Sequence, residues 1–268
     1  MIKKAYVDTK QGQIHYRFSD NSKNLPVLIM IHQTTSTSIM FEPVMARLEK
    51  YYHMIAPDFP GYGTSFQPDE VPDISYYADA LLEALDNLGV GKFHVFGHHT
   101  GGGIALDMAV RFPERILTLG IVGPIYATAE ERVELKKITT EKARELVPKR
   151  DGSHLLFGWK MLETYGAHQL PIEFHHQEAM DHLTAWKACN QAYNAIVAQD
   201  FSGLFDRVKT PLFIMCSHDD VLWPYFPKAR AARPDAASAV VKGPDYQCTV
   251  DPDGVADALR QFLQKHIK

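Results

Sequence analysis

The sequence predicts an α/β fold with a mostly parallel sheet, helices on both faces of that sheet, and a helical segment inserted late in the chain. Three observations predict it. Strand and helix patterns alternate through the first half of the 268 residues. The unbroken apolar run Val27–His32 is typical of a strand that is covered on both faces. Strand patterns are missing from 125–205 and resume at Leu212–Cys216.

The elements of the first half follow in regular order. The segment Ser75–Leu88 is amphipathic, with Ser75 as a candidate N-cap and Gly89 just past its end, so it predicts a helix. By the same patterns, further helices are expected at Phe41–Tyr51 and Gly103–Ala109, and strands at Gly12–Phe18, Val27–His32, His53–Asp58, Lys92–Phe96 and Ile116–Val122.

The middle of the chain has only helical patterns, which predicts a helical cap over 125–205 between two parts of the core, 1–124 and 206–268. Helices are expected in the cap at Glu130–Val147, Leu155–Gly166 and Leu183–Ala198. After the cap, strands are expected at Leu212–Cys216 and Ala239–Lys242, and a last helix at Pro252–His266.

Composition excludes several classes of partner. A net charge of −4, from 28 basic and 32 acidic residues, gives no basic surface for nucleic acid. No apolar run has the length of a membrane span, and no apolar segment follows the N-terminus as in a signal peptide. Three widely spaced cysteines predict reduced thiols in a cytoplasmic protein. The expected partner is a small-molecule substrate or ligand. Whether the chain forms a homo-oligomer is left open.

The run from Gly97 to Gly102 has the form of a tight turn between a strand and a helix. Such a turn needs small residues two positions before and two positions after its apex. Gly97 and Gly101 meet this need when His99 is the apex, and His99 then points into the site while His98 points away. With Thr100 as the apex, His98 would stand at the first small position, which is sterically poor.

Three further segments carry a resemblance to a known family. Residues Asp58–Ser65 match the family's loop pattern D-x-P-G-x-G-x-S. Residues Arg111–Ile116 match its segment after the helix that follows the tight turn, which is called the nucleophile elbow, and Asp206–Pro211 match its entry to the strand after the cap. The chain therefore resembles the α/β-hydrolase-fold superfamily almost end to end. That family usually has serine, aspartate or cysteine at the elbow, an acid after the penultimate strand and a histidine after the last strand.

The chemical positions depart from the family pattern. His99 stands at the elbow, and the resemblance assigns the acid to Asp219, preferred over Asp220 by its spacing from the strand end. Counting back from the Asp251-Pro252 pair puts Asp245 at the histidine position, with Tyr246 as the alternative one residue away. No histidine lies between His218 and His266, so a serine-histidine-acid triad is not expected.

The resemblance also implies a site around the elbow. The backbone N–H groups of Thr34 and Thr100 are the expected oxyanion hole, although Gln33 replaces the family's usual glycine. Pocket residues are expected at His32, Gln33, Trp223 and Tyr246.

The site has several interpretations. His99 oriented by Asp245 would be a general base or an unusual nucleophile, acting without a cofactor on an ester, lactone or β-keto acid. Suitable metal ligands are present at His32, His98, His99, Asp219 and Asp245. They have no tight ligand spacing, so no metal is expected. The alternatives are a decayed site in which His99 only fills space, and an inactive small-ligand-binding protein.

Overall fold

The computed structural model describes residues 1–21 and 24–267. Their strands form one eight-stranded sheet in the order β1-β2-β4-β3-β5-β6-β7-β8. The strands are β1 Lys3–Thr9, β2 Gly12–Phe18, β3 Val27–Ile31, β4 His53–Pro57, β5 Phe93–His98, β6 Ile116–Val122, β7 Leu212–Ser217 and β8 Ala237–Val241. Strand β2 pairs antiparallel with β1 and β4, and all the other pairs are parallel.

Helices cover both faces of the sheet. The α-helices of the core are α1 Glu42–Leu48, α2 Ile74–Asn87, α3 Thr100–Arg111, α9 Phe226–Ala232, α10 Gln247–Val250 and α11 Pro252–Leu263, and those between β6 and β7 are α4 Ala129–Glu145, α5 Ser153–Thr164, α6 Ile172–Thr184, α7 Trp186–Ala198 and α8 Phe201–Arg207. One apolar cluster packs α2, α3 and α8 on one face, and a second packs α1 and α11 on the other. The sheet is thus buried between two helical layers, which explains the apolar run in β3.

This architecture confirms the predicted fold class, the α/β-hydrolase fold. The segment that we call the cap, residues 125–205, begins three residues after β6 ends and consists of helices and their connections. Its predicted end after residue 205 falls inside α8.

Parallel pairing brings the ends of several strands to one edge of the sheet. Ile31 at the end of β3 pairs with Gly97, and His98 at the end of β5 pairs with Val122 at the end of β6. Ser217 at the end of β7 pairs with Val241 at the end of β8. The loops that leave these strands therefore meet above one edge, which is where open α/β sheets bind ligands.

Candidate functional site

The turn from β5 into α3 is a strained elbow with His99 at its apex. His99 has φ 48° and ψ −109°, a backbone conformation that side-chain-bearing residues rarely adopt. A side chain at Gly101 would collide with the carbonyl oxygen of Ile31, and one at Gly97 would collide with the carbonyl oxygen of Gly101. The two glycines are thus required by close backbone contacts, and this need for small residues on both sides is why His99 was expected at the apex.

The imidazole of His99 is held by a buried carboxylate, that of Asp220. His99 Nε2 lies 2.9 Å from Asp220 Oδ2. Because an ionised carboxylate can only accept, the shared proton belongs to His99 Nε2. On the same edge of the ring, Cδ2 and Nε2 pack against the backbone of Gly123, where an added Cβ would collide with both atoms. The orientation of the ring is therefore fixed by one hydrogen bond and one close contact.

Asp220 also anchors a second, fully buried chain of hydrogen bonds. Its Oδ2 accepts from Gln247 Nε2 at 2.5 Å, and its Oδ1 accepts from the backbone N–H of Leu222 at 2.7 Å. Since Gln247 donates through its amide nitrogen, its Oε1 is left to accept from His98 Nε2 at 2.7 Å. His98 thus supports the carboxylate through Gln247, with its ring stacked on that of His99 at 4.5 Å between centroids, and of the two histidines His99 is the one that lines the pocket.

Burial and charge set opposite protonation states for the two adjacent histidines. Burial lowers the pKa of His98 to about 3, with the nearby His99 adding to the effect, so His98 is neutral. Burial alone would also lower the pKa of His99, but attraction to the Asp220 carboxylate outweighs it and raises that pKa. Burial alone would raise the pKa of Asp220, yet His99 and the hydrogen bonds hold it below its usual range.

The structure corrects the expected acid. Asp219 is exposed, and its backbone N–H donates to Ser217 Oγ at 3.1 Å. The chain turns tightly after β7, with the N–H of Asp220 donating to the carbonyl oxygen of Ser217 at 3.2 Å. This turn directs Asp220, and not Asp219, back toward the sheet and His99, so the preference for Asp219 by sequence spacing was wrong.

The expected hydrogen bond between His99 and Asp245 is also wrong. Asp245 Oδ1 accepts from the backbone N–H of Val221 at 3.0 Å, and Asp220 takes the place beside His99. Asp245 is buried and lines the same pocket as His99, so its charge still acts on the imidazole. Burial raises the pKa of Asp245, and the negative charge of Asp220 raises it further.

The two threonines expected at the oxyanion hole lie side by side. Thr34 follows β3 and Thr100 begins α3, both are buried, and their hydroxyl oxygens share a short hydrogen bond. Both residues line the pocket together with Gln33. Thr100 is the first residue of its helix, where backbone N–H groups have no partner within the helix.

Three residues expected in the pocket lie elsewhere. His32 is buried behind it, stacked on Phe59 with ring centroids 4.2 Å apart. Trp223 packs on His218, with ring centroids 3.9 Å apart, in a short turn before α9. Tyr246 is buried in a small apolar cluster with cap residues. In the described part of the chain, none of these three residues lines the pocket beside His99.

The pocket lies between the sheet edge and the cap and has a volume of about 290 Å³. The core contributes His99, Asp245 and the two threonines, and the cap contributes Lys142, Tyr165 and Tyr193. The remaining wall is mostly aliphatic: Ile125, Leu135, Ile138, Ile196, Val197, Val221 and Leu222. A cavity of this size with an apolar wall and a few convergent polar groups has the usual make-up of a small-molecule site.

Two residues of the site had no clear signal in the sequence. Asp220 was identified only as a lesser alternative, and Gln247 was not identified at all. Gln247 lies two residues after Asp245, at the start of α10, and its role depends on contacts with His98 at the end of β5 and Asp220 after β7 that no local pattern encodes.

The described part of the chain lacks two other kinds of feature. No group of three His, Cys, Asp or Glu side chains there is arranged to hold a metal ion. None of its helices is both long and apolar enough to span a membrane.

Comparison with known proteins agrees with this fold. A family model described as α/β hydrolase fold matches residues 26–152. The enol-lactonase from Burkholderia xenovorans LB400 has a TM-score of 0.82 at 18% identity, covering 97% of this chain and 100% of that one. E-2-(acetamidomethylene)succinate hydrolase has a TM-score of 0.79 at 21% identity, covering 98% of this chain and 100% of that one. The fold of this chain is therefore the α/β-hydrolase fold, as the matched family model and these solved structures agree.

Two curated relatives of this chain have the names of hydrolases. An uncharacterized carboxylesterase from Bacillus subtilis (strain 168) is 31% identical over 123 residues, which is 46% of this chain and 41% of that protein. RutD from Escherichia coli O7:K1, a proposed carbamate hydrolase, is 25% identical over 239 residues, covering 85% of this chain and 87% of that protein. The chain is therefore similar to hydrolases along most of its length.

Proposed function

We propose that this protein is an enzyme that acts on a small, partly apolar carbonyl compound, an ester, lactone or β-keto acid, with His99 as its general base. The observation that carries the proposal is the hydrogen bond from His99 Nε2 to Asp220 at the apex of the elbow, beside an apolar pocket. A base that is oriented by a buried carboxylate and set in such a pocket is a recurring arrangement in catalysis.

The tautomer of His99 determines which nitrogen reacts. Because Nε2 carries the proton that Asp220 accepts, Nδ1 has the free lone pair in the neutral imidazole. In hydrolysis, Nδ1 removes a proton from water as the water oxygen attacks the carbonyl carbon. The resulting imidazolium is stabilised by Asp220 and returns the proton to the leaving group. Asp220 is thus a positioning residue that also raises the basicity of His99.

The rest of the pocket supplies further groups for this reaction. The backbone N–H groups of Thr34 and Thr100 are the proposed donors to the oxyanion, supported by the contact between the two threonines. Asp245 lines the pocket, and its raised pKa suits a carboxyl that, when protonated, donates a hydrogen bond to the bound substrate. These roles are part of the proposal.

The test is a screen for turnover with p-nitrophenyl acetate, δ-valerolactone and acetoacetate, followed by variants. His99→Asn removes the base, and general base catalysis contributes about 10²- to 10⁴-fold, so a loss of that size in kcat is expected. His176→Asn is the control, because His176 is exposed on α6 of the cap. Equal activity in wild type and His99→Asn would refute the role of His99.

A second candidate is a ligand-binding protein without turnover. The specific observation in its favour is that the apex carries an imidazole held by Asp220, while Asp245, which the resemblance assigns to the family's histidine position, accepts from the backbone of Val221. Saturable binding of these compounds with no turnover in any of the three assays would favour this candidate over the enzyme.

A further inference from the structure

Lys142 stands in the wall of the pocket and forms no salt bridge with a carboxylate of the described residues, although its positive charge acts at longer range on Asp245 in the same pocket. It lies on α4 in the cap, is half-buried, and lines the pocket with His99 and Asp245. Its Nζ donates to Tyr165 Oη at 2.8 Å and lies 4.5 Å from the centre of the Tyr165 ring. In the described residues, no carboxylate oxygen lies within 4.0 Å of Nζ.

The setting of Lys142 differs from that of its neighbours on the same helix. Lys137 forms an ion pair with Glu134 at 2.6 Å, and Lys136 is exposed. Lys142 is instead turned toward a wall made mostly of aliphatic side chains, where a cation loses hydration. An ammonium group in such a place is stabilised by an anion that enters the pocket, and Tyr165 is already oriented as a second polar contact.

We propose that the ligand of this pocket carries a carboxylate, and that Lys142 binds this group from the cap while the carbonyl to be attacked faces His99 on the core side. Only the placement of the reacting carbonyl against His99 rests on the proposed function. Binding of a carboxylate by Lys142 requires no turnover, so it can be tested separately. Lys142 is thus the residue that selects anionic over neutral compounds of the same shape.

The test compares two probes of equal shape, phenylacetate and its uncharged amide, phenylacetamide, by titration calorimetry with a ligand-observed NMR check. Wild type is expected to bind phenylacetate more tightly than the amide by about 10- to 100-fold, the range for a hydrogen bond to a charged group. Lys142→Met should remove this preference, and Lys142→Arg should retain most of it. Lys136→Met is the matched control, because Lys136 is exposed on the same helix.

Two further variants separate this inference from the proposed function. Tyr165→Phe keeps the ring beneath Lys142 and removes the hydroxyl, so a smaller loss of the preference is expected. His99→Asn should abolish turnover but keep the preference for phenylacetate. A preference that disappears in His99→Asn and survives in Lys142→Met would overturn the proposal, as would equal binding of both probes, or no saturable binding of phenylacetate, by wild type.

Discussion

A buried carboxyl group on the cap gives the protein a pH-dependent stability that can be measured. Glu178 on α6 is 1% exposed, and its Oε1 accepts from Ser36 Oγ of the core at 2.8 Å. Its Oε2 has no hydrogen-bond partner among residues 1–21 and 24–267. Burial raises the pKa of Glu178 from 4.5 to about 8, and the nearby Asp181 raises it further while Ser36 opposes the change. The folded protein therefore keeps Glu178 protonated at neutral pH.

The sign and size of the effect follow from proton linkage. Between pH 4.5 and 8 the unfolded chain has lost this proton and the folded chain has kept it, so the free energy of unfolding falls as the pH rises. The stabilising contribution is fully present below about pH 4.5 and is lost as the pH rises through about 8. At about 1.4 kcal/mol for each tenfold change, the loss is about 3 kcal/mol at pH 7 and about 5 kcal/mol above pH 8.

Glu178→Gln removes the titration and keeps an oxygen that can accept from Ser36. The assay is urea unfolding of wild type and variant from pH 5 to pH 9. The difference between them should change by a few kcal/mol across this range, with the variant gaining on the wild type as the pH rises. The matched control is Glu173→Gln, since Glu173 is exposed on the same helix. Parallel curves for wild type and Glu178→Gln would refute the reasoning.

Two further predictions concern the elbow. Asp220→Asn should lower the pKa of His99, because the carboxylate that raises it is gone, whereas Asp219→Asn should leave it unchanged; a pH titration of the imidazole signals by NMR measures both, and equal shifts would contradict the choice of acid. Gly101→Ala should destabilise the fold by roughly 2–4 kcal/mol, because its methyl group collides with backbone. Gly91→Ala is its control in thermal unfolding, since that position has open space, and equal losses would contradict the packing argument.

Local sequence patterns were enough to predict most of the core. The apolar runs of β3, β5, β6 and β7 identified these strands to within a residue or two, because strands that are buried on both faces must be apolar throughout. The elbow was predicted for an equally local reason. Gly97 and Gly101 lie within two residues of the apex, and the clash that requires them lies within the turn and the adjacent strand.

Elements whose buried residues are polar were missed. The helix α6 spans Ile172–Thr184, but a helix was expected only from Leu183 onward. Its buried face includes His175, Glu178 and His182, so the apolar spacing that marks an amphipathic helix is weak. The edge strand β1 was missed because its exposed residues give it little apolar signal.

The sequence by itself placed His99 at the apex of an elbow, and the lack of a histidine between His218 and His266 predicts that no serine-histidine-acid triad is formed there. Only the tertiary structure decided which carboxylate holds His99 and which residues enclose it. Asp219 and Asp220 are adjacent and chemically equal, and the turn after β7 alone directs one of them inward. Gln247 and Lys142 reach the site from α10 and from the cap, far away in the chain, and such contacts arise from packing rather than from any local pattern.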